Sequence, residues 1–141
     1  MDPGVSFTSI DSDGDDRFQR IRQELGVSTF GLNLIRLRPG QRGRIHAHER
    51  QEEVYAVLEG TLTLLIEGDE PRELRRGDLA RVAPDVRRQL SNRHPELLLI
   101  LAAGGASEHA GRDGRAWAAW DEEGAGRPPQ DVELPPDVDV G

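Results

Sequence analysis

RPGQRGRIHAHERQEEVYAVLEG, residues Arg38 to Gly60, sets two histidines one residue apart with a pair of glutamates just beyond them, in a chain of four histidines. In an extended strand residues i and i+2 point the same way, so His46 and His48 share a face. Glu53 opens the next strand, in phase with Tyr55 and Val57. If that face lines the interior of a barrel, Tyr55 and Val57 form its wall and Glu53 projects towards the two imidazoles. Glu52, one residue away, is expected on the outer face in solvent. Two histidines and one carboxylate on one side match the facial arrangement that leaves coordination positions open on Fe(II), Mn(II), Ni(II) or Zn(II).

Working outward, residues 27–120 keep to short runs of strand-like period broken by Gly, Pro or Asp. STFGLNLIRL, GRIHAH, EVYAVLEG, TLTLLIEG, LARVAP, VRRQLSN and ELLLILAAGG each read as a strand. Gly60 is a tight turn between two of them, and Glu67 to Pro71 a hairpin loop. Many short strands without a strand–helix–strand rhythm mean a sandwich or barrel. Residues 1–26 form an acidic leader followed by DDRFQRIRQELG, in which Phe18, Ile21 and Leu25 recur at helical spacing. Asp15 or Asp16 is positioned to cap that helix and Gly26 to end it. Residues 121–141 are acidic and, from Gly124, rich in Pro and Gly without periodicity. This tail is expected to be flexible or a loosely docked extended strap.

Composition narrows the chemistry. With 141 residues the chain suits one domain with a real core. Aromatics make up only 4% of it, so the core must be aliphatic. There is no cysteine, which excludes disulfides, thiolate ligands and cysteine nucleophiles, and no lysine, which excludes a Schiff base. No run approaches the ~18 apolar residues of a membrane span, and the first residues lack a signal pattern, so a cytoplasmic protein without membrane partners is expected. The net charge of -8 includes -6 from Asp121 to Gly141, where seven acids face one arginine. A near-neutral body with an acidic tail argues against nucleic acid as a partner.

Gly40, five residues, His46, one residue, His48, four residues, Glu53, six residues, Gly60 is the first motif of the cupin superfamily, with every fixed position present. The chain therefore resembles a small single-domain cupin over roughly residues 27–105. The resemblance implies an all-β jelly-roll barrel with a short N-terminal helix, a divalent metal (Fe, Mn, Ni or Zn) on His46, His48 and Glu53, and a homodimer. The second motif departs from the pattern. In GDLARVAPDVRRQLSN, Gly77 and Asn92 are correctly separated, but Ala83 stands at the Pro position, Asp85 at the Gly position and Arg88 at the position of the fourth metal ligand.

Arg88 has no lone pair to donate and stays protonated, so it cannot be a ligand. It can pair with Glu53 in place of the metal, clamp the carboxylate or phosphate of a bound molecule, or bend out to solvent. A one-residue slip would bring Gln89 to the site instead, although the spacing to Asn92 favours Arg88. Arg88, Tyr55 and Gln89 are thus the candidate ligand-binding residues, and no catalytic residue is identifiable. Three functions stay open: a metal-holding protein that binds a small organic molecule, anionic or neutral; an enzyme on the same site, either a dioxygenase or a sugar or organic-acid isomerase or lyase; and a metal-free module built on an Arg88–Glu53 pair. Asp11 to Asp16 fails the calcium-loop pattern, with Asp16 and Arg22 where Gly and Glu are needed. His94 and His109 are expected on surface turns or loops, and Trp117 and Trp120 to pack a terminal segment onto the barrel.

Overall fold

The computed structural model describes residues 4–105 and 113–140, so His109 lies outside the described residues. The short sequence runs become ten strands: β1 (Phe18–Gln19), β2 (Gly31–Leu37), β3 (Ile45–His48), β4 (Glu52–Glu59), β5 (Thr61–Ile66), β6 (Arg72–Arg75), β7 (Leu79–Val82), β8 (Arg88–Ser91), β9 (Leu98–Gly105) and β10 (Gly114–Trp117). They form two five-stranded antiparallel sheets, ordered β1-β2-β9-β4-β7 and β10-β3-β8-β5-β6. No helix among the described residues is long and apolar enough to cross a membrane.

Alternation along the strands sorts side chains into two layers. Between the sheets lie Leu37, Tyr55, Val57, Leu62, Leu98 and Ile100, each at most 2% exposed. Each such aliphatic side chain withdrawn from water contributes roughly 1.5–3 kcal/mol. On the outer face of the first sheet Leu34 and Leu99 pack against Ile21, with Leu25 beside them. The covering element is α1 (Ile21–Leu25). It is shorter than the sequence period predicts: Phe18 and Gln19 pair instead with Ile35 and Leu34. The cap position is Arg20, without a side-chain cap, while Gly26 ends the helix in the left-handed conformation. Asp15, a predicted cap, pairs with Arg38 at 2.6 Å. The carbonyls of Asp11 and Asp16 accept from the buried Arg36, so the acidic run wraps a guanidinium with its backbone.

Three strands were not apparent in the sequence: β1, expected there as helix, β6 just beyond the Glu67–Pro71 turn, and β10 in GRAW. Trp117 of β10 packs with Ile45 and Ala47, Trp120 alongside. Beyond it the chain runs as an extended strap. Arg127 bridges Ala116, the Trp117 indole donates to Gly124 O (3.1 Å), Val132 is buried, and Val138 N donates to Gly40 O (2.8 Å). A Cβ on Gly40, whose φ is +86°, would lie 2.7 Å from Val138 O, so the glycine of the first motif also seats the strap.

Candidate metal centre

Register brings the site together. β10 and β8 flank β3, with Arg88 directly opposite His46. In the other sheet Gly31, Gly104 and Glu53 form a row across β2, β9 and β4. Glu53 Oε1 lies 3.4 Å from His46 Nε2 and 3.2 Å from His48 Nε2. The three potential ligand atoms are all within 4.8 Å of one another.

Each imidazole is oriented from behind. His46 Nδ1 faces the Arg44 carbonyl at 3.2 Å, and His48 Nδ1 faces Asp113 Oδ1 at 2.8 Å. A carbonyl and a carboxylate only accept, so the proton of a neutral ring belongs on Nδ1 and the Nε2 lone pair points inward. Two lone pairs then face a carboxylate oxygen, an arrangement that needs a proton or a cation between them. This is the ring-orienting support typical of metal-bound histidines. Asp113 is itself held by the backbone amides of Arg50 (2.9 Å) and Gln51 (2.8 Å) and by the Gln51 side chain (2.6 Å).

The charges answer this crowding. Burial alone would raise the Glu53 carboxyl, but hydrogen bonds and charge from His46 and His48 hold it well below the usual range. Burial lowers His48, yet Glu53 and Asp113 outweigh it and its pKa is raised. Tyr55 is pushed well above its ordinary value by burial and by the Glu53 charge, so it is a neutral phenol and donates to Glu53 Oε1.

Arg88 is fully buried, and each of its three nitrogens donates to a protein oxygen. Nη2 reaches Glu53 Oε1 at 2.7 Å, Nε the Tyr55 hydroxyl at 3.2 Å, and Nη1 the Val86 carbonyl at 2.6 Å. The slipped register does not occur. Gln89 turns away from the group and donates to Gly43 O at 2.9 Å, so the structure does not bring it to the site. Glu52 is exposed and pairs with Arg81. His94 pairs with Glu73 at 2.8 Å, away from the site. Asp85, at the motif's glycine position, is the one non-glycine residue with positive φ (67°) among the described residues, and its amide donates to His48 O. The backbone there holds a glycine-type conformation on an aspartate.

A cleft of about 460 Å³ opens onto His48 and Glu53. Sequence reasoning missed Asp113, a lone acid with no recognisable spacing to the histidines. It also missed Arg20, Arg22, Asn33 and Gln51, which line the same cleft.

The two-sheet architecture and this His-His-Glu geometry coincide with a family model, Cupin domain, that matches residues 33–104. The chain belongs to the cupins. A search of curated proteins finds no match. Among solved structures, this cupin is similar to a sugar phosphate isomerase of the cupin superfamily from Silicibacter pomeroyi (28% identity, TM-score 0.63), covering 72% of its own chain and 65% of that one. It thus spans less than two thirds of that protein. A cupin protein from Bacteroides fragilis shares 22% identity at TM-score 0.65, over 89% of this chain and 99% of that one. A Cupin 2 conserved barrel domain protein from Salinispora arenicola shares 20% at TM-score 0.63, over 73% and 90%. The last two show the fold alone.

Proposed function

We propose that this cupin holds a divalent transition metal on His46, His48 and Glu53 and binds a small organic anion in the adjoining cleft. The observation that carries the reading is the pair of imidazoles whose Nδ1 atoms face obligate acceptors while both Nε2 atoms face Glu53 Oε1. The donor set fits Fe, Mn, Ni or Zn, and a bound ion would supply Lewis-acid polarisation of a ligand oxygen. Around it, Asp113 fixes the His48 ring, while Arg88 and Tyr55 fix the Glu53 carboxylate. The neighbouring sugar phosphate isomerase supports a phosphorylated sugar as the ligand class and isomerisation as the reaction, on a cleft whose lining is mostly polar.

A second reading is a metal-free binding module. It is favoured by the 2.7 Å contact of Arg88 with Glu53, which places a permanent cation beside the ligand carboxylate. Elemental analysis of protein purified without an affinity tag or added metal separates the two. About one equivalent of Fe, Mn, Ni or Zn, absent from His46→Ala, is the expected result. Protein that stays empty when these metals are offered would replace the first reading with the second.

A further inference from the structure

The cation that the motif places nearest the metal position is turned to the protein: Arg88 is fully buried, is not among the residues lining the cleft, and donates from each of its nitrogens to a protein oxygen. A bound anion therefore needs other positive charge, and the cleft contains it. Arg20 and Arg22, at the start of α1, line the same opening as His48 and Glu53, with Gln23, Asn33 and Gln51 around them. Neither arginine makes an ion pair among the described residues, although the chain has 26 acids for 18 bases. Arg22 Nε is buried with no hydrogen-bond partner among the described residues, so the protein leaves that donor unused. The one acid lining the cleft is Glu53, and its Oε1 is already taken by Arg88 and Tyr55.

The floor between these arginines and the His-His-Glu group is kept open. Gly31 and Gly104 stand opposite each other in register beside Glu53. A Cβ on Gly104 would lie 3.0 Å from Gln51 Oε1 and 3.3 Å from Glu53 Cγ, pressing on the site. The opening is therefore arginine-rich at its N-terminal rim, polar along its sides, and carboxylate and imidazole at its floor.

Resting on the metal-site reading above, we infer that Arg20 and Arg22 form an oxyanion subsite that grips the phosphate or carboxylate end of a small polar ligand whose other end reaches the His-His-Glu group. Guanidinium groups suit both oxyanions through paired N–H donors. The subsite selects by charge, and the metal site by the oxygens at the far end.

The test is calorimetric titration of the purified protein with glucose 6-phosphate, gluconate and uncharged glucose, with metal content measured on the same samples. Wild type is expected to bind at least one charged compound about tenfold or more tightly than glucose, and the one that binds identifies the oxyanion. The Arg20→Gln/Arg22→Gln variant should lose that preference while retaining its metal and its melting temperature. Arg22→Lys, keeping the charge, should retain part of it, and Arg93→Gln, a surface control, all of it. A charged preference that survives the double variant, or no charged preference in wild type, overturns the subsite. Absence of metal from wild type would instead sink the metal reading, and the two failures are thereby distinguishable.

Discussion

Arg88 decides how the centre behaves, because it puts a guanidinium where the cupin pattern has a fourth ligand. A buried charge without a partner costs about 3–5 kcal/mol, so removing Arg88 leaves the Glu53 carboxylate uncompensated unless another cation arrives. Arg88→His is expected to restore a four-ligand set. Its apparent metal affinity should rise about tenfold or more, and its metal-free form should melt below wild type. Competition with a chelating dye and melting with and without metal measure both. Unchanged affinity would mean that position 88 has no access to the ion. At this scale the sequence was readable where chemistry and spacing coincide, as at His46, His48 and Glu53. It was ambiguous between Arg88 and Gln89, because a period of two makes a one-residue slip reverse every side chain. Asp113 was invisible: its partner His48 is 65 residues away, and a single aspartate carries no pattern.

The strands rich in Leu, Val and Ile announced themselves, whereas β6 did not, because Leu74 is the single buried side chain in Arg72–Arg75. The N-terminal period suggested a helix from Phe18, but pairing with β2 captured Phe18 and Gln19 and left five residues helical. A local pattern cannot show that a strand edge is waiting for it. The turn before β8 shows the converse. Asp85 occupies left-handed backbone that costs a non-glycine residue ~1–2 kcal/mol, although Asp tolerates it better than most. Asp85→Gly should therefore raise stability by up to about 1 kcal/mol, offset in part by glycine's greater unfolded-state entropy. Chemical denaturation would show this as a higher midpoint at unchanged slope. A lower midpoint would mean that the Asp85 side chain contributes to the turn.

For the molecule as a whole, the acidic charge of the tail lies on a segment whose backbone and one valine are tied to the barrel. Arg44 Nε donates to Val132 O (2.7 Å) and Arg42 Nε to Pro136 O (2.9 Å), while the side chain of Val132 is 4% exposed. Val132→Asp should cost about 3 kcal/mol by burying an unpaired carboxylate, or release the strap. A fall in melting temperature together with a red shift of tryptophan emission, from uncovering Trp117, is the expected signature. An unchanged emission spectrum with unchanged stability would mean the strap does not cover that face. The strap also fixes when the fold can close. Its contacts join residues more than 90 positions apart along the chain, Arg42 with Pro136 and Gly40 with Val138, and loop closure over such distances is slow. During synthesis the face formed by β3 and the edge strand β10 stays uncovered until residues 124–140 have emerged, so the strap acts as a late latch on the first motif.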